Sequence, residues 1–108
     1  MRANIETLIN AGWAQVNAIK AAITEANKPN LEWLLINLPA AEDYLLTYRS
    51  NEVAVSTLTK AIAAEQAKPQ PDADKIAQMT AERRRAMQYM IQADGRLELI
   101  LFDYGKRP

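Results

Sequence analysis

The amino-acid sequence predicts a mainly α-helical protein, a helical bundle built on an antiparallel helical hairpin with a further helix at the N-terminus. Three features lead to this prediction. Apolar residues recur at alternating steps of three and four over most of the chain, which is the spacing of one helix face. A Pro-rich segment at 68–72, KPQPD, marks the clearest boundary. Because this loop is short, the helices on either side of it are expected to run antiparallel.

The N-terminal helix is predicted over residues 4–27. Asn4 is placed to cap it, and Lys28-Pro29 is expected to end it. Gly12 lies in the middle of the apolar face, where glycine weakens a helix by about 1 kcal/mol relative to alanine. We therefore expect another element to approach closely at Gly12. The residues that form this face are Ile5, Ile9, Gly12, Val16, Ile19, Ile23 and Ala26.

The hairpin is predicted over 38–67 and 73–94. Asn37 is a plausible cap for the first helix, with Pro39 in its first turn, and Asp72 is placed to cap the second helix. The apolar face of the first helix comprises Tyr44, Tyr48, Val55, Leu58 and Ile62. The face of the second comprises Ile76, Met79, Arg83, Ala86, Met90 and Ala93.

Leu46 and Val53 point almost opposite to the main apolar face of the first hairpin helix. Either this helix is buried on two sides or it breaks near residues 49–51. Burial on two sides requires a second layer or a partner chain.

Two Leu-rich segments, 31–38 and 97–104, admit two interpretations, because short apolar runs cannot be assigned by periodicity alone. Helix is favoured for 97–104, since Leu97, Ile100 and Tyr104 continue the preceding apolar face in phase through Gly95. The alternative is an α+β fold in which 31–38 and 97–104 are short strands.

Composition excludes several classes of protein. The 108 residues have the length of a single domain, 1–108, and their 13 basic and 13 acidic side chains cancel. A net charge of zero gives no basic surface for general attachment to DNA or to an anionic membrane. Cysteine is absent, which removes disulfides and thiolate chemistry and fits a cytoplasmic location.

The residue types also argue against catalysis. Histidine and cysteine are both absent, so the commonest general base and the commonest transition-metal ligands are missing. Asp72 and Asp74 are better explained by helix capping than by a calcium loop, and Thr57 with Lys60 is better explained as a polar face than as a nucleophile and base. We expect no catalytic residues, no cofactor, no metal site and no enzymatic activity.

Three consecutive arginines, Arg83 to Arg85, form the most distinctive basic motif. Successive residues turn by about 100° around a helix, so the three side chains diverge. Arg83 falls within the apolar face and is expected to reach solvent or to pair with an acid such as Glu52. The candidate anion or nucleic-acid contacts are Arg84, Arg85, Arg96, Lys106 and Arg107.

More apolar faces are available than three helices can cover. The sequence therefore predicts a non-enzymatic protein-interaction module (an adaptor, inhibitor or assembly factor) that forms a homodimer or higher oligomer and binds a further protein partner. The alternatives are a nucleic-acid-associated protein and a protein that binds a small ligand between its helices, near the methionines and tryptophans. The candidate interface residues are Trp13, Trp33, Leu46, Val53, Leu97, Leu99, Leu101, Phe102 and Tyr104.

Overall fold

A computed structural model of the chain contains three α-helices and describes the backbone of residues 2–106 and the side chains of residues 4–106. The helices are α1 (Arg2–Ala21), α2 (Lys28–Gln66) and α3 (Ala73–Gly105). The predicted mainly α-helical fold is confirmed. Residues 2–106 contain no strand, so the alternative with strands at 31–38 and 97–104 is wrong.

The chain divides into two compact units. The first, which we call the terminal unit, comprises Met1–Leu46 and Asp94–Pro108. The second, the hairpin unit, comprises Thr47–Ala93. Both α2 and α3 continue from one unit into the other. That the chain forms one domain stays a prediction.

The predicted end of the N-terminal helix is wrong, because α1 stops at Ala21 rather than near residue 27. Polar side chains close a turn there. Asn27 Oδ1 accepts a hydrogen bond from the Thr24 backbone N–H at 2.7 Å, and Thr24 Oγ1 accepts one from the Asn27 backbone N–H at 3.2 Å. Asn27 Nδ2 also donates to the Ala22 carbonyl at 2.9 Å. Such local bonds offer the backbone an alternative to the helical ladder.

Pro29 and Pro39 do not mark helix boundaries where the sequence predicted them, whereas Pro69 and Pro71 lie in the loop between α2 and α3 as predicted. Pro29 does not end a helix but lies in the first turn of α2, where its missing N–H has no partner to lose. Pro39, expected in a first turn, lies inside α2. It faces solvent, so water can bond the carbonyl that its ring leaves unpaired. Asn37 is not a cap, since its Nδ2 donates to the Trp33 carbonyl at 2.9 Å.

Helix α3 continues without a break through Gly95 to Gly105. The phase of its apolar face explains this continuity, because every residue of the predicted face is buried or partly buried. Those residues are Ile76, Met79, Arg83, Ala86, Met90, Ala93, Leu97, Ile100 and Tyr104. The helical interpretation of 97–104 is therefore confirmed. Helix α2 likewise does not break near residues 49–51.

The terminal unit has a continuous apolar core supplied by all three helices. Its buried residues are Ile5, Leu8, Ile9, Val16, Leu31, Leu34, Leu38, Ala41, Leu45, Leu97 and Ile100. Gly12 lies where α1 and α2 approach: a Cβ atom added to Gly12 would lie only 2.6 Å from Leu38 Cδ2. The close approach predicted at Gly12 is thus present, and Leu38 fills the space that a larger residue would need.

The hairpin unit has far fewer large buried side chains. Its buried apolar residues are Ile62, Ala86 and Ala93, and two of these are alanines. Polar contacts fix its turn instead. Asp72 Oδ1 accepts hydrogen bonds from the Asp74 and Lys75 backbone N–H groups, each at 3.1 Å, which confirms Asp72 as the cap of α3.

Glu65 is the buried acid of this turn. Its carboxylate accepts hydrogen bonds from Lys68 Nζ at 3.0 Å and from the Asp72 backbone N–H at 3.3 Å, and Lys75 Nζ lies 3.4 Å away. The bond from Lys68 is the main reason that the pKa of Glu65 lies below its ordinary value. The ionised carboxylate therefore helps to hold the end of α2 on the start of α3.

We expect Gly12→Ala to destabilise the protein. Alanine improves helix propensity by about 1 kcal/mol, but its methyl group would collide with Leu38. Leu38 has no exposed area and cannot swing away, so overpacking should outweigh the gain and lower the free energy of unfolding by about 1 kcal/mol. Urea unfolding followed by circular dichroism measures this change. The exposed Asn17→Ala on the same helix is the control and should be neutral or stabilising; a stabilised Gly12→Ala would contradict the close approach.

We expect Glu65 to make stability depend on acid. Because folding lowers its pKa, the stabilisation is fully present above the ordinary value of 4.5 and is lost as the pH falls through the lower, folded-state value. Glu65→Gln should reduce the free energy of unfolding at neutral pH, and the difference from the native protein should shrink as the solution becomes acidic. Lys68→Met should show the same trend in a pH series of urea unfolding curves. Parallel pH profiles for the native and Glu65→Gln proteins would refute the assignment.

Candidate protein-interaction surface

Large apolar side chains lie exposed on α2, on α3 and on the segment that joins α1 to α2. Those exposed are Ile23, Leu35, Ile36, Leu46, Val53, Met87, Tyr89, Ile91, Leu99 and Phe102. Single exposed apolar residues are ordinary on a monomer, whereas contiguous ones mark interaction sites. Their arrangement on each helix therefore decides what they indicate.

In the terminal unit, the most coherent set lies on the outer side of α3. Gly95, Leu99, Phe102 and Lys106 fall within roughly 60° of one another around the helix, opposite the buried Leu97 and Ile100. We call these four residues the α3 outer face. Leu99 and Phe102 expose 62% and 64% of their surfaces, so this face is apolar and uncovered.

A groove runs along one edge of the α3 outer face. It has a volume of about 660 Å³ and lies between the start of α1 and the end of α3. Asn4 lines its α1 side, while Glu98 and Leu101 line its α3 side together with Gly95, Leu99 and Phe102. The lining of the groove is therefore mostly apolar and includes one carboxylate and one amide.

Lys106 partly shields this face. Its ammonium nitrogen lies 4.4 Å from the centre of the Phe102 ring, within the range of a cation–π contact. An exposed contact of this kind contributes only about 0.5–1 kcal/mol. An approaching apolar partner can therefore displace Lys106 at little cost.

No contact within the described chain requires a glycine at position 95. A Cβ atom added there would meet nothing within 4 Å, in contrast to Gly12. A glycine in a helix interior costs about 1 kcal/mol relative to alanine. At Gly12 the cost is explained by Leu38, whereas at Gly95 no group of the described chain approaches. Gly95, which has no side chain, thus leaves a gap (a notch) between the exposed apolar side chains of the α3 outer face.

A second uncovered apolar surface lies on α2 in the terminal unit. Ile36 exposes 71% of its surface and Leu46 exposes 65%, with the exposed Pro39 between them in sequence. We call Ile36, Pro39 and Leu46 the α2 outer face. Leu46 was a candidate interface residue, and Val53, the next in phase, is exposed in the hairpin unit.

The remaining interface candidates lie in or against the core of the terminal unit. Leu97 is completely buried. Leu101 is partly buried and packs on the core. Trp13, Trp33 and Tyr104 also pack on the core, and each points a polar atom at another helix.

Each of these three aromatic side chains donates a hydrogen bond to a side chain on another helix. Trp13 Nε1 donates to Glu42 Oε1 at 2.5 Å, and Trp33 Nε1 donates to Asp103 Oδ2 at 2.5 Å. The Tyr104 hydroxyl donates to Gln15 Oε1 at 3.0 Å. Trp13 thus partly buries its ring and pairs its N–H, and all three side chains link helices within the terminal unit.

The candidate anion contacts do not form one cluster. Arg84 and Arg85 belong to the hairpin unit, and Arg96 and Lys106 belong to the terminal unit; all four are exposed. Arg107 lies outside the described residues. Arg83 is partly buried and donates to Thr59 Oγ1 at 3.4 Å, so it points towards α2 within the hairpin unit.

A small groove in the hairpin unit bears on the small-ligand alternative. Its volume is about 240 Å³, and Leu58, Ala86, Arg85 and Tyr89 are among its lining residues. Sites for drug-sized ligands typically have volumes of about 300–1,000 Å³. This groove contains no methionine or tryptophan in its lining, unlike the ligand site expected from the sequence.

Sequence reasoning missed Ile36 and Ile91, the most exposed large apolar residues, each 71% exposed. Both had a signal. Ile91 stands one position after the buried-face residue Met90 and so lies outside the apolar face. Ile36 lies two positions after Leu34 and two before Leu38, which are both fully buried. Residues displaced in this way from a helix's buried face point to solvent.

Among residues 4–106, no group of three or more acidic, His or Cys side chains is arranged to hold a metal ion. None of the helices in this range has the length and apolar character required to cross a bilayer.

Comparison with known proteins found no match to any family model, to any curated protein or to any solved structure.

We expect Gly95→Ala to stabilise the isolated chain. The added methyl group meets nothing within 4 Å and restores helix propensity, so the free energy of unfolding should rise by up to about 1 kcal/mol. Urea unfolding at low protein concentration measures it, alongside Gly12→Ala, which should change in the opposite direction. A destabilised Gly95→Ala at low concentration would show that a group of this chain does approach Gly95.

Proposed function

We propose that this chain is a non-enzymatic protein-interaction module, of the adaptor, inhibitor or assembly-factor type. The observation that supports the proposal best is the α3 outer face, where Leu99 and Phe102 are exposed side by side along a groove. Covering such a surface releases about 25 cal/mol per Å² of apolar area. A cytoplasmic location is part of the proposal, supported by the absence of cysteine.

The module uses one helix face for architecture and the opposite face for binding. On α3 of the terminal unit, Leu97 and Ile100 are buried while Leu99 and Phe102 face outward. The binding face can therefore change without loss of the core. An amphipathic helix lying in a groove of this kind is a common mode of recognition.

Affinity capture with two matched variants tests this function. Leu99→Ser/Phe102→Ser removes the apolar contact, and Ile23→Ser/Ile36→Ser removes similarly exposed apolar groups from elsewhere in the terminal unit. We expect proteins captured by the native chain to be retained by the second variant and to fall at least about tenfold with the first. Circular dichroism verifies that both variants fold. Equal capture by the native chain and the Leu99/Phe102 variant would contradict the proposal.

Nucleic-acid binding is the second candidate, supported by the exposure of Arg84, Arg85, Arg96 and Lys106. A net charge of zero and the division of these residues between the two units weigh against it. This alternative expects steeply salt-dependent binding of DNA or RNA, weakened when Arg84 and Arg85 become alanine. Fluorescence anisotropy with labelled oligonucleotides distinguishes it, since binding unchanged by Arg84→Ala/Arg85→Ala would reject the assignment.

A further inference from the structure

We infer that the α3 outer face binds the same face of a second copy of this chain, with the two α3 helices antiparallel and a two-fold axis near Leu99. The inference rests on the proposed interaction function and names the partner of that surface. The residues that carry it are Gly95, Leu99 and Phe102, with Arg96 and Asp103 at their margin.

The spacing of large and small residues fits self-pairing. Phe102 lies three residues after Leu99, and Gly95 lies four residues before it. In an antiparallel pair centred at Leu99, each Phe102 ring therefore comes level with the Gly95 of the other copy, within one residue or about 1.5 Å of rise. A ring meeting a notch gives the close contact that Gly95 lacks in the single chain.

Charges at the margin fit the same register. Arg96 and Asp103 are both exposed and lie on the same side of the α3 outer face, about 80–100° from Gly95. An antiparallel two-fold brings the same sides of two helices together. Arg96 lies three residues before Leu99 and Asp103 lies four after it, so each arginine comes level with the aspartate of the other copy, twice per dimer. Asp103 keeps the hydrogen bond that it accepts from Trp33 within its own chain.

A parallel pair does not have this complementarity. Parallel two-fold symmetry would place each residue near the centre of the face level with its own counterpart, Gly95 with Gly95, Phe102 with Phe102 and Lys106 with Lys106, and like charges in register are destabilising. It would also join opposite margins, so Arg96 would lie near Glu98 of the other copy, but no ring would meet a glycine. The antiparallel pair has one unfavourable contact of this type. Glu98, on the other margin and next to Leu99, comes near its own counterpart, so its charge should weaken the dimer.

The net charge is also compatible with a second copy. With a net charge of zero, two copies approach without overall repulsion.

Sedimentation velocity over a wide concentration series tests the inference. The native protein should change from monomer to dimer with concentration. Phe102→Ser and Gly95→Leu should each raise the dissociation constant at least tenfold, while Ile36→Ser, an apolar loss on the α2 outer face, should change it less than about twofold. Gly95→Leu is decisive, because added apolar surface strengthens a dimer unless Gly95 is a point of close approach.

Charge variants test the register. Arg96→Glu should weaken the dimer severalfold, and the exposed Arg84→Glu, which makes the same change in net charge on α3 in the hairpin unit, should have much less effect. Glu98→Gln should strengthen the dimer. Equal effects of the two arginine variants, or a weaker dimer with Glu98→Gln, would overturn the antiparallel register.

Cross-linking tests the geometry directly, because the chain contains no cysteine. Leu99→Cys lies near the proposed axis and should give rapid dimeric products with a short bis-maleimide. Ile36→Cys, at the same concentration and similarly exposed, should not. Efficient cross-linking through residue 36 but not through residue 99 would overturn the inference.

The outcomes separate this inference from the proposed function. A native protein that stays monomeric throughout the series overturns the second copy as partner. If such a monomer captures other proteins and loses them with Leu99→Ser/Phe102→Ser, the interaction function stands with a different occupant. If capture does not depend on these residues, both proposals fail.

Discussion

The close approach of α1 and α2 at Gly12 is the constraint on which the terminal unit depends. Leu38 occupies the space that a side chain at position 12 would need, and it is fully buried there. Ile5, Leu34 and Leu97 belong to the same core cluster as Leu38 and also have no exposed surface. The aromatic hydrogen bonds from Trp13, Trp33 and Tyr104 then tie helix to helix around this core.

The two units are stabilised by different means. Large aliphatic side chains fill the terminal unit, whereas the hairpin unit buries two alanines, one isoleucine and the carboxylate of Glu65. Small buried residues contribute little hydrophobic free energy, so charged contacts at the turn take a larger share. Acid is therefore expected to act first on the hairpin unit.

The sequence predicted helix type and phase well, and boundaries poorly. The steps of three and four placed Leu97, Ile100 and Tyr104 on the buried side of α3, and the helix continues through Gly95 because burial outweighs the weak propensity of one glycine. The helix boundaries predicted from Pro29 and Pro39 were wrong, since a proline is tolerated in the first turn of a helix or on its solvent-facing side. The end of α1 depends on bonds between Thr24 and Asn27, which local pattern alone does not rank above helix.

Candidate interface residues were predictable only in part. Periodicity separated Leu46 and Val53 from the main apolar face. Leu99 and Phe102 were proposed for the interface together with Leu97, although Leu97 continues the buried face. The sequence predicted the close approach at Gly12, because that glycine lies on the apolar face of its helix. It did not show that the surroundings of Gly95 are open, since this depends on what lies near an added Cβ atom.

The positions of the two tryptophans have a practical consequence for spectroscopy. Trp13 and Trp33 are the only indoles in the chain, and both lie in the terminal unit with their N–H groups bonded to carboxylates. Tryptophan emission is thus an optical reporter of one half of the molecule, while far-ultraviolet circular dichroism senses the helices of both. If the two signals change at different temperatures during thermal unfolding, the terminal unit and the hairpin unit can be followed separately without any label.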